Sequence, residues 1–446
     1  MSYGDIENSG KMIFGALMSK NKNVTYTRNR SGFFDALRYR DFTLVAGGQL
    51  VSAIGDGVLP VAVSLALLQR GDGVAAVGSI LAARSIAMGF ALLIGGIVAD
   101  RFSRNRVMVG SDIIRALAVI AIIYLLMYDY SAAFISIMML VFGLGEAFFR
   151  PAFRGIYPHI LPDDLLQQAN AWGSLVSRTA ATIGPALGGA LVASVSPIGA
   201  LWFDVVTFGI SALTLLFVRL PVSPSGNGKV GLRNIKDGAL VIVRRRWLGL
   251  CFAAGLIQKP ASVAPWLVLL PSVALDRYNS SFPYATSMSL YAVGAIVGAV
   301  VSSKIRISIP GVPAIIGVST FSLIMAAMLL PVPALVLILA HFLAGIGLEV
   351  YGVMWNTAIH REIPKEMLGR VTSFEMLGSA CLMPIGYTFA GAWAEIHGNT
   401  IVLSIAAIVC IVTTFPLLVD SSVRRLGSME DENDKKKCSE EVASER

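Results

Sequence analysis

Charge is what this chain has least of. Asp, Glu, Lys and Arg make up 14% of its 446 residues, where an ordinary soluble domain carries about 25%. That is too little polar surface to cover a water-exposed exterior, and it argues against a soluble globular protein. Cysteine is equally sparse. Cys251, Cys381, Cys410 and Cys438 are scattered along the chain, with neither metal-ligand spacing nor a disulfide framework. The 4 His residues are too far apart to predict a metal site. No Gly-rich run ends in Gly-Lys-Ser/Thr, so no ATP-driven engine is visible, and no nucleophile elbow marks a hydrolase. These absences argue against an enzyme, and no metal or other cofactor is expected. The formal net charge of +8 does not point to nucleic acid, because the basic residues sit in short clusters between apolar runs, as in cytoplasmic loops.

What the chain does have is apolar sequence: 55% of residues are hydrophobic, and the mean hydropathy is +0.70. A membrane-spanning helix needs about 20 mostly apolar residues. Such runs occur at 42–69, 74–99, 107–128, 132–153, 165–193 and 198–218, and again at 248–273, 284–303, 312–331, 334–356, 367–394 and 400–419. The polar, basic segment before them does not have the layout of a secretory signal peptide, so the first spans must themselves target the chain to the membrane. Of the 36 Lys and Arg, only Arg70 and Arg277 fall in one set of loops, and Arg84, Arg115, Arg178 and Lys259 fall inside spans; the rest lie in the tails and the opposite loops. This asymmetry places both termini in the cytoplasm and requires an even number of spans.

Glycine and proline reveal a repeat. A shift of 202 residues carries Gly143 onto Gly345, Gly145 onto Gly347, Pro162 onto Pro364, Gly184 onto Gly386, Gly189 onto Gly391 and Gly96 onto Gly298. These residue types set close helix packing and helix ends. The expected organisation is therefore an all-α integral membrane protein with twelve transmembrane helices in two pseudo-symmetric six-helix bundles. Its parts are a cytoplasmic tail (1–40), a first bundle (41–220), a cytoplasmic linker (221–247), a second bundle (248–420) and a charged, disordered cytoplasmic tail (421–446). Transporters with parallel halves place the substrate between them near the bilayer midplane.

Two motifs carry more specific information. Between spans 2 and 3 the chain reads Gly95-Gly96-Ile97-Val98-Ala99-Asp100-Arg101-Phe102-Ser103-Arg104-Asn105-Arg106. Asp100 falls at a helix C-terminus, where the dipole disfavours a carboxylate, so it gains from a cation or from a neighbouring helix N-terminus. The bland reading is a turn with topology-setting arginines. Span 5 contains Gly184-Pro185-Ala186-Leu187-Gly188-Gly189, a small-residue face with a proline kink, which on the bland reading is a generic packing surface.

Together these motifs resemble the major facilitator superfamily. The first is similar to its cytoplasmic loop signature, with Ser103 where the family usually has Gly. The second is similar to the span-5 signature of its drug–proton antiporters. The pieces Pro162-Asp163-Asp164-Leu165, Ala169-Asn170-Ala171, and Pro364 with Gly369-Arg370-Val371 look like the branch containing siderophore (enterobactin-type) and macrolide exporters. The resemblance implies the major facilitator fold and a cytoplasmic gate formed by Gly96, Asp100, Arg101, Arg104 and Arg106. It also implies a tightly packed fifth helix at Gly184, Pro185, Gly188 and Gly189. In the second half Ser302 and Ser303 replace the Asp, leaving Lys304 and Arg306, so a second latch is weak or absent.

Charges inside spans are costly and mark functional sites by default. Asp56, within Gly55-Asp56-Gly57 in span 1, is the first candidate for proton coupling, since an ionised carboxylate at that depth costs at least a few kcal/mol unless paired. Glu146 and Glu349 follow, the second falling one position from the repeat equivalent of the first, so that the two face a cavity from opposite halves. Glu146 stands one turn before Arg150 and Asp112 three residues before Arg115, spacings that suit intrahelical bridges. Asp204 and Glu375 are further intramembrane acids. Arg84, Arg178, Lys259 and Trp355 are candidates for the substrate cavity, with Asp56 a possible partner for Lys259. Trp172, Trp202, Trp266 and Trp393 serve either a cavity or interfacial anchoring.

The resulting expectation is a multi-pass transporter of the cell inner (plasma) membrane, working as a monomer with a small-molecule substrate, protons and the lipid bilayer as its partners. Proton-coupled efflux of a drug, macrolide or siderophore is the leading reading. Uptake of a metabolite on the same fold and a non-transporting receptor or scaffold are the rivals. The charge asymmetry predicts that a cysteine placed at either terminus will react with an impermeant maleimide only after the cell is opened. Labelling of either terminus in intact cells would overturn the assigned orientation.

Overall fold

The computed structural model describes residues 34–101, 103–218, 242, 245–304, 311–363 and 365–424; within these, the side chains of 90–101, 154, 163, 365–366, 369–370, 372–373 and 375–377 are not described. Most of the expected N-terminal tail, linker and C-terminal tail, with Cys438, therefore lies outside the described residues.

Every apolar run becomes a helix. The first six are α1 (Arg40–Arg70), α2 (Gly73–Arg101), α3 (Arg104–Met127), α4 (Ala132–Ile160), α5 (Leu166–Ser194) and α6 (Pro197–Leu216). The second six are α7 (Arg246–Tyr278), α8 (Phe282–Lys304), α9 (Gly311–Leu329), α10 (Ala334–Glu362), α11 (Lys365–His397) and α12 (Asn399–Val419). Ten of these are long and apolar enough to cross a membrane; α2 and α11 include side chains outside the described set. Local signals set the joints. Gly71 closes α1 with φ of 89°, its N–H bonding the carbonyls of Leu67 and Leu68. Ser196 caps α6 through the Gly199 N–H at 3.0 Å, with Pro197 in the first helical position. Inside α7 one wide turn, Lys259–Val263, absorbs Pro260, which has no N–H to give.

The largest departure from expectation is in α4. The apolar run stops near 153, but the helix continues to Ile160 through Pro151 and Pro158. Its last turns pack on protein rather than lipid: Phe149, Ile156 and Tyr157 share a buried cluster with Phe42 of α1 and Met108 of α3. Arg150 consequently lies well inside the helix, not near its end.

Helix neighbours repeat with a two-fold pattern. In the first half α1 packs on α5 and α6, α2 on α4, and α3 on α4 and α6; in the second α7 packs on α11 and α12, α8 on α10, and α9 on α10 and α12. The repeat glycines do the same work in both halves. A Cβ on Gly184 would meet Gly57 Cα of α1 at 2.8 Å, and one on Gly386 would meet Pro260 Cα of α7 at 2.6 Å. Likewise Gly145 makes room for Arg115 of α3, and Gly347 abuts Gly317 of α9, the repeat equivalent of Arg115.

The halves meet through α2 with α11 and α5 with α8. These contacts concentrate at the face away from the chain ends. Ala75 N donates to Glu395 Oε2 at 3.2 Å, Gly78 and Gly391 approach closely, and Gly189 abuts Ala285. The core follows the same division. One apolar cluster joins both halves near that distal face, including Val74, Val192, Trp266 and Ala394. Toward the terminal face there are two separate clusters, one around Phe42 and Met108 and the other around Leu248 and Ile359. The molecule is therefore closed at the distal face and parted at the terminal face. Outward-facing residues such as Leu117, Val206, Leu213, Ile411 and Phe415 are exposed apolar side chains, as a helix bundle dissolved in lipid requires.

Close approach at Gly184 leaves no room for a branched side chain. Gly184→Val is expected to destabilise the protein by about 1–3 kcal/mol. Gly110→Ala, where a Cβ meets nothing within 4 Å, should be neutral or slightly stabilising. Thermal unfolding in detergent separates the two.

Candidate substrate cavity and its buried charges

Where the halves part, a cavity of about 820 Å³ opens between them. α1 contributes Gln49 and Asp56 to its wall, α2 Arg84, α3 Arg115, α4 Glu146 and Arg150, α5 Arg178 and α10 Glu349. A second chamber of about 690 Å³ runs along the terminal half of α10, lined by Asn356, Thr357, His360 and Arg361, and shares Arg178 and Glu349 with the first.

The charges are arranged in three groups. Arg115 donates from Nη1 to both Asp56 oxygens at 3.1 and 3.0 Å and from Nη2 to Asp112. Its guanidinium also lies over the rings of Phe208 and Phe149, at 4.4 and 4.7 Å from their centroids. Glu146 is clamped from two sides, by Arg84 Nε at 2.9 Å and by Arg150 Nη2 at 2.6 Å. Arg178 Nη2 reaches across the cavity to Glu349 Oε1 at 2.7 Å, an ion pair between the two halves. Such pairing is what lets charge persist inside a bilayer. Glycine makes the first group possible, since a Cβ on Gly145 would lie 2.8 Å from Arg115 Cγ.

One wall is apolar. Phe149, Phe153 and Tyr157 follow one another at helical spacing on α4 and line the cavity, with ring centroids 5.9 and 5.4 Å apart. Opposite them α5 presents Asn170, Ser174 and Ser177. The cavity can hold an amphiphile: an aromatic strip, a polar strip and charges of both signs at its closed end.

The structure brings Asp56, Glu146, Glu349, Arg84 and Arg178 together around the cavity. Lys259 and Trp355 are not part of its lining. Lys259 lies in the wide turn of α7 and bonds Ser379 Oγ of α11 at 2.8 Å, so Arg115, not Lys259, is the partner of Asp56. Trp355 is six residues from Glu349, which places it on another face of α10, where it packs with Trp247 and Phe252. Of the gate residues, Gly96, Asp100 and Arg101 fall in the last turns of α2, where side chains lie outside the described residues. Arg104 packs against Gly155 of α4, and Arg106 is exposed. In the span-5 motif Pro185 is buried, Gly184 and Gly188 press on α1 within the first half, and Gly189 alone crosses to α8. Sequence reasoning gave no cavity role to Arg115, Arg150 or the α4 aromatics, although the spacing of 149, 153 and 157 was a usable signal.

Two helical bundles closed at one face, with a charged cavity between them, have the architecture of a membrane transporter. The chain belongs to the Major Facilitator Superfamily, whose profile matches residues 45–383. It is similar to macrolide efflux protein A of Streptococcus pyogenes, 24% identical over 403 residues, 86% of this chain and 97% of the relative. It is also similar to the multidrug efflux pump Tap of Mycobacterium tuberculosis, 27% identical over 374 residues, 80% of this chain and 87% of the relative. Among solved structures, the nucleoside transporter NupG shares the fold with a TM-score of 0.66 at 15% identity, covering 85% of this chain and 98% of its own. A bacterial homologue of the iron transporter ferroportin, in an inward-facing state, does so with a TM-score of 0.63 at 16% identity, covering 84% and 98%.

The two clamps differ in redundancy. Arg115→Gln strands Asp56 and Asp112 and is expected to cost about 3–5 kcal/mol. Arg150→Gln leaves Glu146 held by Arg84 and should cost no more than about 1 kcal/mol. Chemical unfolding in detergent compares them, and equal losses would contradict this assignment of partners.

Proposed function

We propose that this chain exports a small amphiphilic organic compound from the cytoplasm across the plasma membrane in exchange for protons. On this reading the terminal face, with both chain ends, is cytoplasmic, and the cavity described above faces inward and receives the compound. The observation that carries the direction is the match, over 86% and 80% of this chain, to two relatives that are named efflux proteins. Proton coupling is supported by carboxyl groups that line a cavity within the bilayer, Asp56, Glu146 and Glu349. Each is held by an arginine, a pairing that keeps its charge in the bilayer and that protonation within the bundle can release.

The parts then have clear tasks. The aromatic strip of α4 receives the apolar body of the compound. The Arg178–Glu349 pair spans the two halves and ties them across the cavity. The loop from Gly96 to Arg106 is the cytoplasmic latch that forms and releases as the bundles rock, and the bundles 41–220 and 248–420, joined by 221–247, are the rocking bodies of a monomer.

The test is a drug and metabolite susceptibility panel on overexpressing cells. Expression should raise resistance to at least one amphiphilic compound. Collapse of the proton gradient should return its accumulation to the level of non-expressing cells. Asp56→Asn, at normal protein level, should abolish the resistance. Accumulation that rises with expression would select uptake instead, and unaltered fluxes across the panel would select a receptor or scaffold.

A further inference from the structure

Among the described residues, five carboxyl groups lie deep within the spans of the first half or on the cavity wall, and four of them have an arginine. Asp56 and Asp112 share Arg115, Glu146 has Arg84 and Arg150, and Glu349 has Arg178. Asp204 of α6 is the exception: among the described residues it forms no ion pair. It is 0% exposed. The Thr207 hydroxyl donates to the Asp204 backbone oxygen at 2.7 Å and lies 3.4 Å from Oδ1, and Oδ2 has no hydrogen-bond partner among the described residues. The carboxyl is seated against bare backbone, because a Cβ on Gly55 would meet Asp204 Oδ1. Gly55 immediately precedes Asp56.

The charges facing Asp204 come from known directions. α1 presents Asp56, α3 presents Arg115 and α2 presents Arg84, while Asp112 of α3 is buried and paired with Arg115. The one charged residue of α5, Arg178, is committed to Glu349. In the first-half cluster, Asp56, Asp112, Glu146 and Asp204 oppose Arg84, Arg115 and Arg150, which leaves one negative charge in excess. Uncompensated charge in a dry interior is the costly state. One proton makes the cluster neutral, and Asp204 is the one acid there with no guanidinium to lose.

We propose that Asp204 is the proton-binding site of this transporter, set behind the cavity and separate from the arginine-held acids of its wall. This rests on the reading of the chain as proton-coupled. The step is the binding of a proton from water to the Asp204 carboxylate and its return to water; only an O–H bond forms and breaks. Because Asp204 is buried here, exchange waits on movement of α1 against α6. The exit leads past Asp56, the neighbouring acid that lines the cavity. Asp56, Glu146 and Glu349 then serve as gating ion pairs.

The experiment is infrared difference spectroscopy of the purified full chain in lipid, without substrate, between mildly acidic and mildly alkaline buffer. The wild type should show a carboxyl C=O band that appears on acidification. Asp204→Asn should lose it, and Glu349→Gln, outside the cluster, should keep it. Asp204→Glu, which retains the acid and does not depend on the fold of the Asn variant, should shift the band. A band unchanged in Asp204→Asn or Asp204→Glu, or the absence of any such band in the wild type, overturns the proposal. Because the spectrum needs no transported compound, a failed export assay leaves this result standing, and a lost band leaves the direction of transport open.

Discussion

Arg115 is a full positive charge with 1% exposure in the middle of a lipid-embedded bundle, and the first half is built around it. No solvent can stabilise it there, so α1 must supply Asp56, α3 must supply Asp112, and α4 and α6 must supply the faces of Phe149 and Phe208. That requirement fixes the spacing of four helices at once. It also explains why Gly145 is a glycine: a Cβ at that position would press on Arg115 Cγ at 2.8 Å.

The two halves share a skeleton but not a chemistry. Glycines at matching positions seat the same helix pairs in both. Under the same shift, however, Asp56 corresponds to Gln258, Arg84 to Thr286, Asp112 to Ala314, Arg115 to Gly317 and Asp204 to Ala406. Among the described residues the buried ionic machinery belongs to the first half, and the second reaches its arginines through one side chain, Glu349. This division suits a transporter in which one bundle holds the responsive charges and the other moves against it. The closed distal face, with one continuous apolar core, and the parted terminal face, with two cores, are the mechanical expression of the same arrangement.

The fold was largely legible in the sequence because a bilayer imposes a one-dimensional rule: an apolar run of sufficient length becomes a helix. That rule misplaced the end of α4, where Arg150 and Pro151 interrupt the run. There protein, not lipid, supplies the surroundings of the last turns, so the composition expected of a lipid-facing helix no longer applies. The site was legible in part. The acids Asp56, Glu146 and Glu349 line the cavity, but Lys259 and Trp355 were assigned to a cavity that they do not line, because residue type says nothing about helix rotation.

By itself the sequence determined the helices, their two-fold repeat and which charges fall within apolar runs, since hydropathy and glycine spacing are properties of the local chain. Only the tertiary structure decided which charges meet. Arg115 and Asp56 are 59 residues apart and Arg178 and Glu349 are 171 apart. Each pair exists only because the packing of small residues rotates the right helix faces toward one another. The same packing left Asp204 without an arginine among the described residues, a fact that no reading of residue order contains.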